Sequence, residues 1–289
     1  MEETLENINI MEVTWEDVKR ITEALKEFSH YDLTEYSEKS LKRRIQKIID
    51  DYKMNTSSII HKIKNNKDFA KKLVNDITVN TTEFFRDPPM WYSLRYDIYP
   101  KLMHQNKISI WHSGCSNGQE VYSNLILMNE LGILDKAVIF ATDINDIVIE
   151  KAKNGIYNLI LNFEYLDNFD LVINKHPLNY EIDRKVSYNK YFDINRKKNE
   201  MVVKDFIRNI PMFRVHDLIN GEKNFYTKFD IIFCRNVLIY FNFNLQKKIL
   251  KMFRKNMNKG SYLILGYHES IIEPIELGFE KKDNYYVAI

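Results

Sequence analysis

Residues 108–120 read Ile-Ser-Ile-Trp-His-Ser-Gly-Cys-Ser-Asn-Gly-Gln-Glu, an apolar run followed at once by Gly114 and Gly118. The next residues, 121–131, carry apolar side chains at helical spacing. A buried strand, a glycine turn and a helix form the first half of a nucleotide-binding βαβ unit. Glycine suits such a turn because a Cβ would obstruct the approach of the backbone to a ligand. The stretch therefore predicts a ligand site at the carboxyl end of a parallel strand.

The number of glycines indicates which ligand binds there. A dinucleotide fingerprint has three, as G-x-G-x-x-G, so that backbone N–H groups can hold a pyrophosphate. This turn has two, with Asn117 and Gln119 in the loop, and better suits a nucleoside without phosphates, such as S-adenosylmethionine (SAM). The next predicted strand, residues 138–143, ends at Asp143, which could take the ribose hydroxyls. The alternative is an ordinary strand–turn–helix with an incidental Asp at a strand end.

Length and composition exclude several classes of protein. The chain has 289 residues, enough for one large α/β domain and a smaller one. It has 42 Lys and Arg against 40 Asp and Glu, which predicts no bulk nucleic-acid partner. The acidic, polar start argues against a secretory signal, and no apolar run is long enough for membrane insertion. Cys115 and Cys234 have no metal-type spacing, so we expect a reduced, cytoplasmic protein without a metal site.

The first 78 residues predict a small helical domain. Residues 1–13 read as a loose leader, and Thr14 with Asp17 has the form of a capping box. Helices are predicted at about residues 14–28, 35–52, 57–65 and 68–77. The second helix carries a basic cluster, which either docks an acidic partner helix or is a solvated face. That cluster consists of Lys39, Lys42, Arg43, Arg44 and Lys47.

We expect residues 79–107 to form a linker and a helix that contribute to the site. Residues 80–86 read Asn-Thr-Thr-Glu-Phe-Phe-Arg and precede a double proline, which we expect to stop any helix. A helix should then run from Met90 to about His104. Residues 87–91, Asp-Pro-Pro-Met-Trp, superficially match a loop of amino-methylating enzymes. That loop follows the fourth strand of its sheet, whereas these residues precede the first, so we treat the match as chance.

From residue 108 to 289, strands alternate with helices, which predicts a doubly wound α/β sheet. Further strands are expected at residues 212–218, 229–234, 261–266 and 285–289, with helices at 147–154 and 245–257. Residues 156–210 are too long for a simple connection. We expect an insertion there, with a helix or two and a small antiparallel sheet. By the switch-point rule, the ligand should lie across the strand ends that carry Gly114, Asp143, Asp217 and Asn236.

Several ordered motifs between about residues 76 and 266 resemble the CheR-type chemotaxis methyltransferases. They are residues 80–86, 114–123, 141–144, 153–157 and, longest, 229–241, Phe-Asp-Ile-Ile-Phe-Cys-Arg-Asn-Val-Leu-Ile-Tyr-Phe. The resemblance implies a Rossmann-like doubly wound SAM-methyltransferase sheet preceded by a small all-α N-terminal domain. It also implies transfer of a methyl group from SAM to glutamate side chains of chemoreceptor cytoplasmic helices, with S-adenosylhomocysteine as product.

The resemblance implies roles for individual residues. The cofactor-binding set would be Asn80, Thr82, Arg86, Gly114, Glu120, Asp143, Asp217, Leu218, Arg235 and Asn236. Arg86 and Tyr240 would also handle the substrate carboxylate. The alternatives are a structural salt bridge for Arg86 and core packing for Tyr240. We expect His112, His216 and His268 to be structural, because methyl transfer to a carboxylate requires no general base.

Three departures from the family pattern bear on these roles. Asp217 stands where many relatives have Asn, and residues 266–269, Gly-Tyr-His-Glu, replace the usual Gly-His-Ser-Glu. Residues 156–210 match poorly; in some relatives an antiparallel insertion there tethers a receptor's C-terminal peptide. Two competing hypotheses therefore stand beside receptor methylation. One is a methyltransferase of the same fold acting on another protein or a small acid, and the other is a SAM-binding sensor without turnover.

Overall fold

The computed structural model describes residues 12–78, 80–178, 181, 184–219, 225 and 227–289. The chain divides into two compact units. The first comprises residues 1–79 and 240–242, and the second comprises residues 80–239 and 243–289. Most of the predicted leader, residues 1–11, lies outside the described part of the chain.

The first unit is helical. Its helices are α1 (Trp15–Phe28), α2 (Glu38–Tyr52), α3 (Thr56–Asn65) and α4 (Lys67–Ile77). The predicted capping box is confirmed, since Thr14 accepts from Asp17 N and the Asp17 side chain accepts from Thr14 N. Helix α2 begins later than predicted, because Tyr36 forms a β-bridge with Phe241 and Ser37 N donates to the carbonyl of Tyr240 at 2.7 Å.

The second unit begins with a helix that the sequence analysis placed too late. Helix α5 (Pro88–Ser93) continues through a π-helical turn (Leu94–Ile98) into α6 (Tyr99–Leu102). The double proline does follow a non-helical segment, residues 80–87, but it belongs to the helix, which therefore begins before the predicted start at Met90. Both prolines occupy the first positions of α5, where backbone N–H groups have no partner within the helix, so proline removes no hydrogen bond.

The remaining helices and the strands alternate along the chain. The helices are α7 (Gln119–Glu130), α8 (Asp146–Asn154), α9 (Leu159–Asn162), α10 (Tyr165–Phe169), α11 (Asp205–Arg208) and α12 (Phe243–Lys255). The strands are β1 (Ile108–Ser113), β2 (Ala137–Asp143), β3 (Ile156–Asn158), β4 (Phe192–Asn195), β5 (Glu200–Val203), β6 (Met212–Val215), β7 (Phe229–Cys234), β8 (Met257–Leu265), β9 (Phe279–Lys281) and β10 (Tyr286–Ala288). Within the described residues, no helix is both long and apolar enough to cross a bilayer.

The main sheet has the order β6-β2-β1-β7-β8-β10-β9. The first five strands are parallel, and β10 is antiparallel to β8 and β9. The predicted doubly wound sheet is confirmed. Strand β1 is buried on both faces: Ile110 lies in the core on one side, while Trp111 packs against Phe229 and Phe253 on the other.

The topology brings distant residues to one edge of the sheet. From β1 the chain continues to β2 and β6 on one side, whereas β7 and β8 lie on the other, so the switch point is between β1 and β7. Ser113 is opposite Thr142 and His112 is opposite Phe233 in the parallel register. The residues that follow these strands therefore meet at a single carboxyl edge.

A separate three-stranded antiparallel sheet, of order β3-β5-β4, lies within the residues where the sequence predicted an insertion. It packs on the main core, because Phe192, Met201 and Val203 are buried in the same cluster as the residues of α7. The unpredicted strand β9 is three residues long, too short to give a periodic signal.

Candidate functional site

The glycine turn is built by close packing within the protein. Gly114 has a φ of +77° and Gly118 a φ of +89°. A Cβ on Gly114 would lie 2.4 Å from Val237 Cγ2, and one on Gly118 would lie 2.9 Å from Ala152 Cβ. Packing within the protein therefore requires the absence of a Cβ at both positions, and the expectation that this absence also admits a ligand stays a prediction. The glycines let the turn contact its neighbouring elements and adopt left-handed backbone angles.

Asp143 is held by the main chain of this turn. Ser116 N donates to its Oδ2 at 2.9 Å, and Asn145 N donates to its Oδ1 at 3.0 Å. Burial raises the pKa of the Asp143 carboxyl above its ordinary value, while the backbone N–H groups act in the opposite direction. The side chain is partly exposed, and each oxygen can accept another hydrogen bond. Asp143 can therefore accept from a pair of hydroxyl groups.

Residues 80–86 lie over the glycine turn. The carbonyl of Asn80 accepts from Ser116 Oγ and from Asn117 Nδ2, both at 3.1 Å. At the other end, Phe85 N donates to Ser123 Oγ in α7 at 2.9 Å. Thr82 lies between these two anchors and is partly exposed. The structure thus brings the predicted residues of this segment to the turn that holds Asp143.

Glu120 and Arg235 form the charged centre of the sheet edge. The Arg235 side chain is 3% exposed, and its Nη1 donates to Glu120 Oε2 at 3.0 Å. Its Nη2 donates to Asp87 Oδ2 at 2.7 Å and to the carbonyl of Arg86 at 3.0 Å. The guanidinium therefore joins the segment before the sheet to the first turn of α7. Asp87, a partner that the sequence analysis missed, belongs to the motif dismissed as a chance match.

His112 fixes the other oxygen of Glu120. The imidazole is fully buried, stacks on Phe233 and places Nδ1 2.8 Å from Glu120 Oε1. Asn124 Oδ1 accepts from the Tyr99 hydroxyl, so its amide nitrogen donates to His112 Nε2 at 3.2 Å. Nδ1 must then carry the proton and donate to Glu120. The structural role predicted for His112 thus includes holding a candidate site residue.

The balance of these contacts keeps Glu120 ionised. Burial opposes ionisation, but the hydrogen bond from His112 and the charge of Arg235 outweigh it and hold the pKa of the carboxyl below its ordinary value. With Asp87 and Asp143, the sheet edge carries more carboxylates than guanidinium groups. Such an edge favours a cationic ligand.

Arg86 differs from Arg235 in its partners. Its guanidinium is partly exposed and makes no hydrogen bond or ion pair with any residue in the described part of the chain. Its main chain is fixed, since Trp91 Nε1 also donates to its carbonyl, at 2.9 Å. Phe85 and Asp87 on either side have φ values of +52° and +57°, angles at which side chains are strained and which cluster at functional sites. The alternative of a structural salt bridge finds no support among the described residues.

Asp217 and Leu218 follow β6 beside Asp143. His216 N donates to the carbonyl of Asp143 at 2.9 Å, and Asp217 Oδ1 accepts from Ile219 N at 2.8 Å. These contacts turn the chain and end β6 at Val215, earlier than predicted. Both predicted residues are partly exposed next to the ribose-binding candidate.

Asn236 follows β7 with a φ of +59°. Its N–H donates to Glu269 Oε2 at 2.7 Å. The substituted residues of the loop after β8, Tyr267 and His268, are both exposed. The substitutions at residues 267 and 268 therefore leave the hydrogen bond between Asn236 N and the Glu269 carboxylate in place.

Tyr240, the second predicted catalytic residue, is grouped with the helical unit. Its carbonyl accepts from Ser37 N at 2.7 Å, and the adjacent Phe241 forms a β-bridge with Tyr36. Its role towards a substrate stays a prediction from the resemblance.

The chemistry of the edge fits SAM, which carries a sulfonium, an ammonium, a carboxylate and a ribose diol. Buried polar side-chain atoms without a hydrogen-bond partner among the described residues include Arg235 Nε, Gln119 Oε1 and Asn117 Oδ1. Arg235 Nε is a hydrogen-bond donor, and the two amide oxygens and the Asp143 carboxylate are acceptors, so the edge can bind ligand groups of either type. No group of His, Cys, Asp or Glu side chains in the described ranges could hold a metal ion.

The fold and the site together define the class of SAM-binding methyltransferases. Residues 80–285 match the family described as CheR methyltransferase, SAM binding domain, and residues 16–78 match CheR methyltransferase, all-alpha domain. The chain therefore belongs to the CheR methyltransferase family, as the ordered motifs predicted. It is a SAM-dependent methyltransferase of the chemotaxis type.

Curated relatives are similar over most of their length. A putative methyltransferase, Cher3, of Pseudomonas putida is 29% identical over 88% of this chain and 89% of its own. A chemotaxis protein methyltransferase of Listeria innocua is 28% identical over 93% of this chain and 96% of its own. Chemotaxis protein methyltransferase 1 of Vibrio cholerae is 32% identical over 71% of this chain and 70% of its own.

Proposed function

We propose that this protein esterifies glutamate side chains on the cytoplasmic helices of chemoreceptors. One observation carries the proposal. At a sheet edge rich in carboxylates, which suits a cationic cofactor, Arg86 is engaged by no acid among the described residues. A guanidinium of this kind can bind an incoming carboxylate in a bidentate pair. The names of the relatives support a substrate in chemotaxis.

The reaction suits this set of residues. A glutamate side chain has a pKa of about 4.3 and is ionised near neutral pH, so it needs no general base. SAM, which Asp143, Glu120 and Arg235 would hold, would supply an electrophilic methyl group. A C–O bond to the substrate carboxylate would form as the C–S bond breaks, and sulfur would keep the electron pair. Both reactants lose charge, so orientation and exclusion of water should supply most of the rate.

Each site residue has a proposed task. Asp143 accepts from the ribose hydroxyls, with Asp217 and Leu218 beside the adenine. Glu120 meets the methionine or ribose end of the cofactor, and Arg235 and Asn236 lie beside its methionyl part. The other cofactor-binding residues proposed are Asn80, Thr82, Arg86 and Gly114. Arg86 and Tyr240 handle the substrate carboxylate, the latter on sequence grounds alone.

The helical unit is proposed to dock the receptor. On α2, Lys39, Arg43 and Lys47 are exposed at intervals of four residues and therefore form one stripe. None of the three forms an ion pair with a residue that the structure describes. By contrast, Lys42 pairs with Glu12 at 3.1 Å. A stripe of unpaired cations suits an acidic helix, and such a substrate would require the protein to act in the cytoplasm.

Radiolabelling separates the candidate functions. The protein is incubated with tritiated SAM and receptor cytoplasmic fragments, and the label is tested for release by base. Base-labile label on Glu supports the proposal. Label only on other proteins or small acids would contradict it in favour of another methyltransferase of the same fold, and SAM binding without any label would indicate a sensor.

A further inference from the structure

The carboxylate of Glu269 accepts from four backbone N–H groups. Its Oε2 accepts from Gly266 N and Asn236 N, both at 2.7 Å. Its Oε1 accepts from Val237 N at 2.9 Å and from Ile239 N at 3.2 Å. These donors lie in two segments, the end of β8 and the turn after β7. One side chain therefore joins two loops at the carboxyl edge of the sheet.

The amides that Glu269 binds would otherwise have no obvious acceptor. Residues 236–239 follow β7 and lead into a short 3₁₀ turn, Leu238–Tyr240, whose first N–H groups have no acceptor within the turn. Asn236 has a φ of +59°, an unfavourable angle that surrounding contacts must maintain. The carboxylate supplies those contacts on the side facing β8.

The fit between Glu269 and these loops is close. A Cβ on Gly266 would lie 2.7 Å from Glu269 Oε2 and 2.8 Å from Asn236 N. Gly266 has no positive φ, so its lack of a side chain matters for space and not for backbone angle. Any side chain at this position would displace the carboxylate or the turn.

We propose that Glu269 is a positioning residue, which sets the turn of residues 236–239 and thereby Arg235 and Asn236 for the cofactor. The inference rests on the proposed cofactor-binding role of those two residues. A carboxylate is required because both of its oxygens accept hydrogen bonds and neither donates, so that about four lone-pair sites match four N–H donors. In Glu269→Gln the amide nitrogen would face two N–H donors, so this nearly isosteric change should be harmful.

The first experiment measures amide hydrogen exchange in the full chain without cofactor. In Glu269→Gln, exchange should accelerate at least about tenfold, which is the loss of one charge-assisted hydrogen bond, at the two amides that face the new nitrogen, either those of residues 236 and 266 or those of residues 237 and 239. Exchange in β1 and α7 should not change. Unchanged exchange at these amides, or equal acceleration throughout the second unit, would overturn the proposal.

The second experiment measures SAM affinity by calorimetry. Glu269→Gln and Gly266→Ala should each weaken binding at least about tenfold. His268→Ala is the matched control. His268 is an exposed residue of the same loop, and the only interaction described for its side chain is a ring contact with Tyr267. The SAM affinity of this variant should equal that of the unaltered protein. Unchanged affinity in Glu269→Gln would overturn the positioning role. Failure of the unaltered protein to bind SAM would instead contradict the proposed function, while exchange would still report whether Glu269 holds the turn.

Discussion

Two arginines at the same sheet edge have opposite surroundings. Arg235 is almost fully buried between Glu120 and Asp87, so its charge is already compensated. Arg86 has a fixed main chain and a guanidinium without an acid among the described residues. This contrast separates a residue that organises the site from one that can meet a substrate.

Replacing Arg86 should therefore affect turnover more than cofactor binding. In Arg86→Ala we expect methyl transfer to fall about a hundredfold, because the acceptor carboxylate loses its orientation. The dissociation constant of SAM should change much less. The rate of methyl transfer by Arg86→Lys should lie between the rates of the unaltered protein and of Arg86→Ala, since lysine keeps the charge without the bidentate geometry.

The comparison needs single-turnover rates and calorimetry on the same preparations. Arg208→Ala is a suitable control, because Arg208, which pairs with Asp205 and donates to the carbonyl of Asn154, is not among the proposed site residues. An equal loss of SAM affinity and turnover in Arg86→Ala would contradict the substrate role.

Glu120 should contribute to stability in a pH-dependent way. Its folded-state pKa lies below the ordinary 4.5, so its stabilisation is fully present above pH 4.5 and is lost as the pH falls through the folded-state value. Glu120→Gln should destabilise by about 1.5–3 kcal/mol at neutral pH. The difference in melting temperature between the two proteins should narrow below pH 4.5. A difference that is constant from pH 7 to pH 3 would show that the charge of Glu120 contributes nothing.

At the scale of residues, sequence reasoning found side chains that follow strands and missed their partners. Asp143 could be predicted because it ends a recognisable apolar run, whereas Arg235 was predicted from the family resemblance alone. Asp87 precedes the sheet by one helix and contacts Arg235 across 148 positions. His112 meets Glu120 only because β1 and α7 fold back on each other. Such pairs depend on register, which no local pattern contains.

At the scale of elements, the glycine turn can be tested with a matched pair. Gly118 and Gly132 both have positive φ, but only the first has a neighbour that an added Cβ would meet, at 2.9 Å. Gly118→Ala should cost about 1–3 kcal/mol more than Gly132→Ala, because overpacking is added to the backbone strain common to both.

Thermal unfolding and SAM titration of both variants provide the measurement. Gly118→Ala should also weaken SAM binding, since Gly118 starts α7 beside the turn. Equal stability and equal affinity in the two variants would mean that the contact with Ala152 does not constrain the turn.

Elements with strong periodic or capping signals were predicted well. The main sheet, the helical unit and the cap of α1 followed from apolar spacing and short polar motifs. Errors occurred where a tertiary contact overrode the pattern. Strand β8 begins at Met257, although its first half is polar, because Phe229 pairs with Met257. The antiparallel insertion was expected only from the length of residues 156–210.

At the scale of the whole molecule, the basic stripe on α2 gives a prediction about substrate capture. Reversing its charges, as Lys39→Glu, Arg43→Glu and Lys47→Glu together, should raise the KM for receptor fragments at least about tenfold at low salt, because steering between opposite charges is lost. The SAM affinity should not change.

Salt and a second triple variant test whether position matters. In the unaltered protein, methylation should slow as ionic strength rises. The second triple variant makes the same change in net charge at other exposed positions of the helical unit, by combining Lys62→Glu, Lys64→Glu and Lys67→Glu. An equal rise in KM for both triple variants would show that net charge alone matters and would contradict docking on α2.

The helical unit is also discontinuous along the chain, since Phe241 bridges Tyr36 and the carbonyl of Tyr240 accepts from Ser37 N. A ribosome that adds 5–20 residues per second needs on the order of ten to thirty seconds to pass from residue 79 to residue 242. During that interval the nascent helices lack their last segment. A gene fragment cut at residue 79, or a chimera that exchanges only the first 79 codons, would carry the same deficiency permanently.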